Sequence, residues 1–227
     1  MSKEARKLEI ITTKDGSHSI FVEHLNEQYH SIHGAYQEAM HVFIKNGLAT
    51  VGITPVNVLE IGFGTGLNAW LSSIFAKQHQ CQINYCGLEL FPLDSEIINQ
   101  LNFTQQLDNP EDQLLFKQIH KAEWEHKIAI HPFFELLKRN KSVHEYSEQA
   151  QYELIYFDAF GPKKQPDMWT TNVFGQLYKA LKPGGRLVTY CAQGQVKRDL
   201  KSVGFEVHAL PGPPGKREMT CALKPDQ

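Results

Sequence analysis

Hydrophobic positions along this chain fall into short apolar runs separated by longer amphipathic stretches, a rhythm that predicts β-strands alternating with α-helices. β-Prone runs at 8–12 and 19–22 flank a turn containing Asp15-Gly16 and predict an N-terminal hairpin. From 34 to 45 the apolar residues Tyr36, Met40, Val42, Phe43 and Ile44 share one helical face, and Gly47 supplies the stop. After a turn at Thr54-Pro55, strands are expected at 56–61, 83–90, 154–158, 186–190, 205–210 and 219–223, with a weaker one at 127–130. Helices are expected at 67–77, 93–101, 133–138, 168–181 and 195–203, the fourth stopped by Lys182-Pro183-Gly184-Gly185. Such alternation builds βαβ units. The expected architecture is α/β: a doubly wound, mainly parallel, seven-stranded sheet over 55–227, with residues 1–54 as a hairpin-and-helix extension packed on it.

A chain of 227 residues, 41% hydrophobic and 21% charged, suits one sizeable α/β domain. It contains no apolar run near the roughly 18 to 20 residues of a membrane span, so a soluble protein is expected. The charged start, Met1 to Lys7, leads into no apolar signal core, which places the expected location in the cytoplasm. Cys81, Cys86, Cys191 and Cys221 show no C-x-x-C spacing, read as buried thiols, and leave no metal site to expect. A net charge of -2 argues against wholesale coating of nucleic acid, so any RNA contact must be regional.

The chemistry concentrates where the strands end. Val58 to Asn68 reads as an apolar strand running into a glycine-rich turn that opens a helix, where free amides and left-handed glycines let a ligand approach the backbone. The spacing is G-x-G-x-G. It differs from the dinucleotide fingerprint G-x-G-x-x-G and lacks the Lys and Ser/Thr of a phosphate loop. A glycine triplet alone also suits a purely structural strand-to-helix turn. The next strand closes on Gly87-Leu88-Glu89-Leu90, which puts a carboxylate at the carboxyl edge of the sheet, a little over twenty residues after the glycines, where a ribose is held in such folds. A strand-end glutamate can equally be a solvated surface residue. Tyr156-Phe157-Asp158 delivers a third acidic group to the same edge, and an Asp closing an apolar strand is costly to bury unless it is paired or working, or caps a turn. Phe157, Phe160 and Trp169 are either core or the flanks of a flat substrate.

The run from Asp158 through Gly161-Pro162-Lys163-Lys164 to Pro166-Asp167-Met168-Trp169 resembles the D-x-F-x-P-x-x-x-P-D-M-W segment of the bacterial tRNA methyltransferases that complete 5-methylaminomethyl-2-thiouridine at the wobble position. Tyr29-His30-Ser31, Gly34, Glu38 and His41-Val42-Phe43 resemble that family's motif before the first sheet strand, and Gly62 to Asn68 its G-F-G-T-G-L-N. Gly194-Gln195-Val196-Lys197-Arg198, Gly204-Phe205 and Gly215-Lys216-Arg217-Glu218-Met219 resemble its closing motifs, so the likeness spans nearly the whole chain.

The resemblance implies a Rossmann-like methyltransferase fold that uses S-adenosyl-L-methionine (SAM) and methylates the exocyclic amine of 5-aminomethyl-2-thiouridine in tRNA. It assigns cofactor binding to Glu60, Gly62, Phe63, Gly64, Thr65, Gly66, Asn68 and Glu89, with Tyr29, Ser31 and Glu38 closing over the cofactor. For Ser31 a helix cap, and for Glu38 a buried ion pair, are equally open. Asp158 is the implied catalytic group, accepting a hydrogen bond from the amine. Phe160, Lys163, Lys164, Trp169, Lys197, Arg198, Lys216 and Arg217 are the substrate and RNA candidates. Some family members carry a flavin-dependent oxidase domain for which this chain has neither length nor motif, so it is expected to perform the last methylation only, with a separate oxidase as implied upstream partner. The acidic residue that many such enzymes use for adenine is missing from Ile130-His131-Pro132-Phe133. The rival readings are an aminopropyltransferase of spermidine-synthase type and a noncatalytic SAM-binding protein.

Overall fold

The computed structural model describes residues 7–52 and 55–226; Thr54 of the expected Thr54-Pro55 turn and most of the charged start lie outside them. Strands β1 (Leu8–Thr12), β2 (His18–Val22) and β3 (Glu27–Gln28) form a small antiparallel sheet. Helix α1 (Ala35–Ala39) runs on as a π-helical stretch over Met40–Lys45 and buries Ala35, Ala39, Val42, Phe43 and Ile44. These residues join one continuous core with Val58, Trp70 and Tyr156, which packs the N-terminal segment on the main sheet.

Among the described residues the main sheet has eight strands, not seven. In spatial order they are β10 (Glu206–Pro211), β11 (Glu218–Leu223), β9 (Leu181–Thr189), β8 (Tyr152–Phe157), β4 (Val56–Ile61), β5 (Ile83–Leu88), β7 (Phe134–Arg139) and β6 (Lys127–His131). The central run from β9 to β7 is parallel, while β6, β10 and β11 are antiparallel additions at the edges. Helices α2 (Leu67–His79), α3 (Ser95–Ile98), α4 (Pro110–Lys121), α5 (Thr171–Ala180) and α6 (Gly194–Ser202) complete the fold. From β4 the chain winds outward through β5 to β7, and then returns to β8 on the other side of β4. That reversal opens a crevice at the carboxyl ends of β4 and β8, where α/β sheets hold ligands.

The added strand is the segment expected as a helix at 133–138. Its residues alternate buried and half-buried, Phe134, Leu136 and Lys138 pointing inward, because pairing with β5 on one side and β6 on the other imposes a period of two. The Leu, Glu and Lys content favours helix locally, and tertiary pairing overrides it. Helix α4, absent from the sequence expectations, carries standard start signals: Asn109 accepts from the Glu111 amide at 3.0 Å, Pro110 occupies the first turn, and Glu111 and Asp112 face the positive end of the helix dipole. Helix 93–101 shrinks to Ser95–Ile98, and Lys182-Pro183-Gly184-Gly185 bulges within β9 instead of preceding it.

All four cysteines are free, with Cys86, Cys191 and Cys221 buried and Cys81 half-buried. Among the described residues no helix is long and apolar enough to cross a membrane.

Candidate active site

A cavity of about 880 Å³ opens at the carboxyl ends of β4, β5, β7 and β8. Its floor is the loop between β4 and α2. Gly62, Gly64 and Gly66 have φ of +89°, +49° and +70°, left-handed values that side chains resist. Gly62 is required twice over, since a Cβ there would lie 2.6 Å from the Asp158 carbonyl oxygen on β8. Opposite, Gly87 leaves room for the Phe63 ring, which would sit 2.5 Å from an added Cβ. Phe63 therefore lies folded against β5, edge-on to Trp124 at 6.0 Å between ring centroids.

The loop is also fastened from behind. His30 Nε2 is hydrogen-bonded to Thr65 Oγ1 at 2.7 Å, and His120 Nε2 donates to the Thr65 carbonyl at 3.1 Å. Lys138 Nζ donates to the His120 carbonyl at 3.1 Å and lies 5.0 Å from the Trp124 ring centroid. Desolvation of this lysine, 2% exposed, pulls its ammonium down to about 8.

Glu89 stands at the end of β5 with its carboxylate held by main-chain amides: Gly64 N donates to Oε2 at 2.9 Å and Phe91 N to Oε1 at 2.8 Å. Beyond it the cavity wall is Lys141, Ser142, Val143 and His144, the loop that follows β7. The segment after the parallel neighbour of β5 is thus Asn140-Lys141-Ser142, not the 130–133 stretch expected from sequence, and it too lacks a carboxylate. Asn140 instead ties this loop to the next, donating to the Glu89 and Leu90 carbonyls at 2.8 and 3.0 Å.

At the other end Asp158 faces the cavity just past β8, its amide bonded to the Ile61 carbonyl at 2.9 Å and its Oδ2 accepting from Asn68 Nδ2 at 2.9 Å. Desolvation and then the negative charge of Glu38 push its carboxyl up to about 7, against the Asn68 hydrogen bond and the Lys216 ammonium. Tyr29 and Phe160 line the same cavity, packed edge-on to each other with centroids 5.0 Å apart.

The structure brings Tyr29, Gly62, Phe63, Gly64, Thr65, Asn68, Glu89, Asp158, Phe160 and Lys164 to this cavity. It places other expected site residues differently. Glu60 is 1% exposed and lies beneath the floor, so it is not available to touch a cofactor. Glu38, 7% exposed, accepts from the Ser31 amide at 3.1 Å and pairs with Lys216. The buried-pair alternative is the one observed for Glu38, with Lys216 as its partner. Ser31 caps no helix; its Oγ accepts from the His33 amide at 3.2 Å. Trp169 is 5% exposed in the core against Phe157 and donates to the Phe160 carbonyl at 2.8 Å, holding the loop that carries Phe160 instead of flanking a substrate.

Among the other basic candidates, Lys164 donates to the Leu25 carbonyl at 2.8 Å and Lys197 pairs with Glu218 at 2.7 Å. Lys163, Arg198 and Arg217 are exposed. Sequence reasoning missed His24, Leu25, Lys141 to His144, and Met168, all of which line the cavity. For the 141–144 loop the missing signal was β7, whose end it follows. Among the described residues no group of three or more His, Cys, Asp or Glu is placed to hold a metal ion.

Residues 112–225 match the family model described as S-adenosyl-L-methionine-dependent methyltransferase. The bifunctional tRNA 5-methylaminomethyl-2-thiouridine biosynthesis protein MnmC of Cupriavidus necator is 32% identical over 215 residues, covering 87% of this chain and 32% of that protein. The protein of the same name from Cupriavidus metallidurans is 30% identical, covering 98% of this chain and 34% of its own length. The chain thus spans about a third of the length of the curated relatives it matches. Its fold is similar to the crystal structure of MNMC2 from Aquifex aeolicus, with a TM-score of 0.77 at 22% identity over 97% of this chain and 71% of the other. A spermidine synthase from Thermotoga maritima is a more distant match, with a TM-score of 0.61 at 14% identity over 100% of this chain and 72% of the other.

Proposed function

The chain belongs to the S-adenosyl-L-methionine-dependent methyltransferases, and from that premise we propose that it N-methylates the aminomethyl group of 5-aminomethyl-2-thiouridine at the wobble position of tRNA. SAM supplies a methyl group already activated by its sulfonium. The cavity fits that cofactor: a glycine cradle that tolerates no side chain at Gly62, a pinned carboxylate at Glu89 for the ribose hydroxyls, and room for the nucleoside beyond. The Gly62 to Gly66 backbone would line the methionine end, with Tyr29 packed against Gly64.

The observation that carries the reading is the position of Asp158. It shares the cavity with Glu89 and the glycine loop, and with the rings of Tyr29 and Phe160, which an unstacked base could meet. An alkylamine arrives largely protonated and reacts only when neutral. A carboxylate whose proton affinity is raised to about 7 can take that proton and orient the lone pair, while the protein's larger contribution is alignment. Lys163, Arg198 and Arg217 would meet phosphates of the anticodon arm. The amine would be supplied by a flavin-dependent oxidase that strips a carboxymethyl group from the precursor nucleoside.

The test is nucleoside mass spectrometry on tRNA containing 5-aminomethyl-2-thiouridine after incubation with the protein and SAM. Conversion to the methylamino nucleoside is expected. Transfer to putrescine from decarboxylated SAM, with tRNA untouched, would replace this reading by the aminopropyltransferase one, and tight SAM binding without product would replace it by a noncatalytic role.

A further inference from the structure

Beneath Asp158 lies a second carboxyl that touches neither cavity nor solvent. Glu60 Oε1 accepts from Asn68 Nδ2 at 2.9 Å, and the same nitrogen donates to Asp158 Oδ2 at 2.9 Å. A side-chain amide nitrogen carries two hydrogens, and here each is directed at a different carboxyl group. Asn68 sits in the first turn of α2, 2% exposed, so it has no freedom to choose other partners. Glu60 Oε2, Asn68 Oδ1 and the Tyr85 hydroxyl are buried in the same recess with no hydrogen-bond partner among the described residues.

These unpartnered atoms bear on which carboxyl is charged. Were Glu60 ionised, a negative group 1% exposed would have beside it only the Tyr85 phenol and one amide that it shares with Asp158. The ionisable groups acting on it are Asp158, Glu89 on β5, and the phenol of Tyr85; Tyr156 on β8 is a further neighbour whose own ionisation Glu60 opposes. None of these is a cation. Desolvation first, and then the charges of Asp158 and Glu89, hold the Glu60 carboxyl well above the usual carboxylate range.

We propose that Glu60 is a positioning residue: a carboxyl kept protonated under the floor, which anchors one hydrogen of Asn68 so that the other fixes Asp158 Oδ2 and leaves the second oxygen of Asp158 for the substrate amine. The proposal rests on the reading of Asp158 as the group that receives the amine. It also explains why an acidic residue at the end of β4 can matter without touching a cofactor. Two carboxyls joined by one amide favour a single negative charge, and the arrangement gives that charge to the member that faces the cavity.

The test is steady-state kinetics over pH 6 to 9 on Glu60→Ala, Glu60→Gln, Asn68→Ala and Asp158→Asn, with SAM affinity measured by calorimetry. In Glu60→Ala kcat is expected to fall by about tenfold or more, through lost alignment, with SAM affinity within about twofold of the parent. Glu60→Gln, which keeps a neutral acceptor for Asn68, should recover most of that loss with the pH midpoint in place. A midpoint lowered by about one unit or more in Glu60→Gln would mean that a like charge had been removed, and would overturn the proposal. So would parental kcat in Glu60→Ala, or a SAM affinity reduced by about tenfold. If Glu60→Ala does not fold, Asn68→Ala carries the test. There kcat should fall and the midpoint rise, because the hydrogen bond that favours ionised Asp158 is gone, and an unchanged profile would overturn the proposal. Parental activity in Asp158→Asn would remove the underlying reading and this inference together. An inactive Asp158→Asn beside fully active Glu60 and Asn68 variants would remove the inference alone.

Discussion

At the glycine-loop end of the cavity the groups that face a ligand are main-chain atoms and one carboxylate pinned by main-chain amides, whereas at the Asp158 end they are side chains held by other side chains. The first end gains its shape from positive φ angles and from β5 packed against Phe63. The second end depends on the pairing of Asp158, Asn68 and Glu60 and on the field of Glu38 and Lys216, and burial pushes the Asp158 carboxyl up to about 7. Binding a constant cofactor calls for a rigid cradle. Handling a proton calls for groups whose charge can be tuned, and the proposed reading assigns these two tasks to opposite ends of one cavity.

That contrast is broken most severely by Asp158→Asn, which keeps the shape of the amine end and removes its basicity. A loss of about 10²- to 10⁴-fold in kcat is expected, with SAM affinity little changed, by single-turnover kinetics and calorimetry. At the other end, Glu89→Ala should weaken SAM by about 10- to 100-fold, the worth of about 1.5–3 kcal/mol for hydrogen bonds to a charged group, while turnover at saturating SAM stays near the parent value. Should Glu89→Ala instead depress kcat with SAM affinity intact, the division of labour drawn here would fail.

The tunable end can also be sharpened by pH. Because the receiving carboxylate must be unprotonated, kcat/KM should rise with pH through about 7, the value to which Asp158 is pushed. Glu38→Gln removes a negative charge that raises Asp158 and leaves the Lys216 ammonium, so the midpoint should move to lower pH. A midpoint that stays put would mean that Glu38 does not act on Asp158. The smallest effect belongs to the rim: Lys163→Ala and Arg217→Ala should each flatten the salt dependence of tRNA binding by about 0.7 to 0.9 in log–log slope, read by filter binding across salt concentrations.

The same contrast marks what could be read from the chain. The glycine-loop end was legible because its determinants are local: Val58 to Asn68 is one strand, one turn and one helix start, and Glu89 follows at the distance expected of the next strand. Asp158 was legible as a polar residue closing an apolar strand. The partners that govern Asp158 were not, since Glu38 and Lys216 are 178 residues apart and no local pattern announces a contact at that separation. Residues 134–139 were misread because their composition favours helix while the slot between β5 and β6 demands a strand, and the error hid the 141–144 wall of the cavity. Trp169 looked like a substrate platform because an aromatic in a motif reads the same whether it faces a ligand or the core; only burial separates the two.

The clasp between the N-terminal segment and the β10–β11 hairpin has a consequence for biosynthesis. Glu38 meets Lys216, and His41 Nε2 donates to the Pro211 carbonyl at 2.8 Å, so the earliest and latest elements of the chain close on each other beside Asp158. The glycine loop and Glu89 emerge early, but His120, Lys138 and Asp158, against which that loop rests, follow later, and the charge environment of Asp158 is incomplete until residue 216 has left the ribosome. On the ribosome, the cavity is therefore finished from its far end, by the last hairpin of the chain.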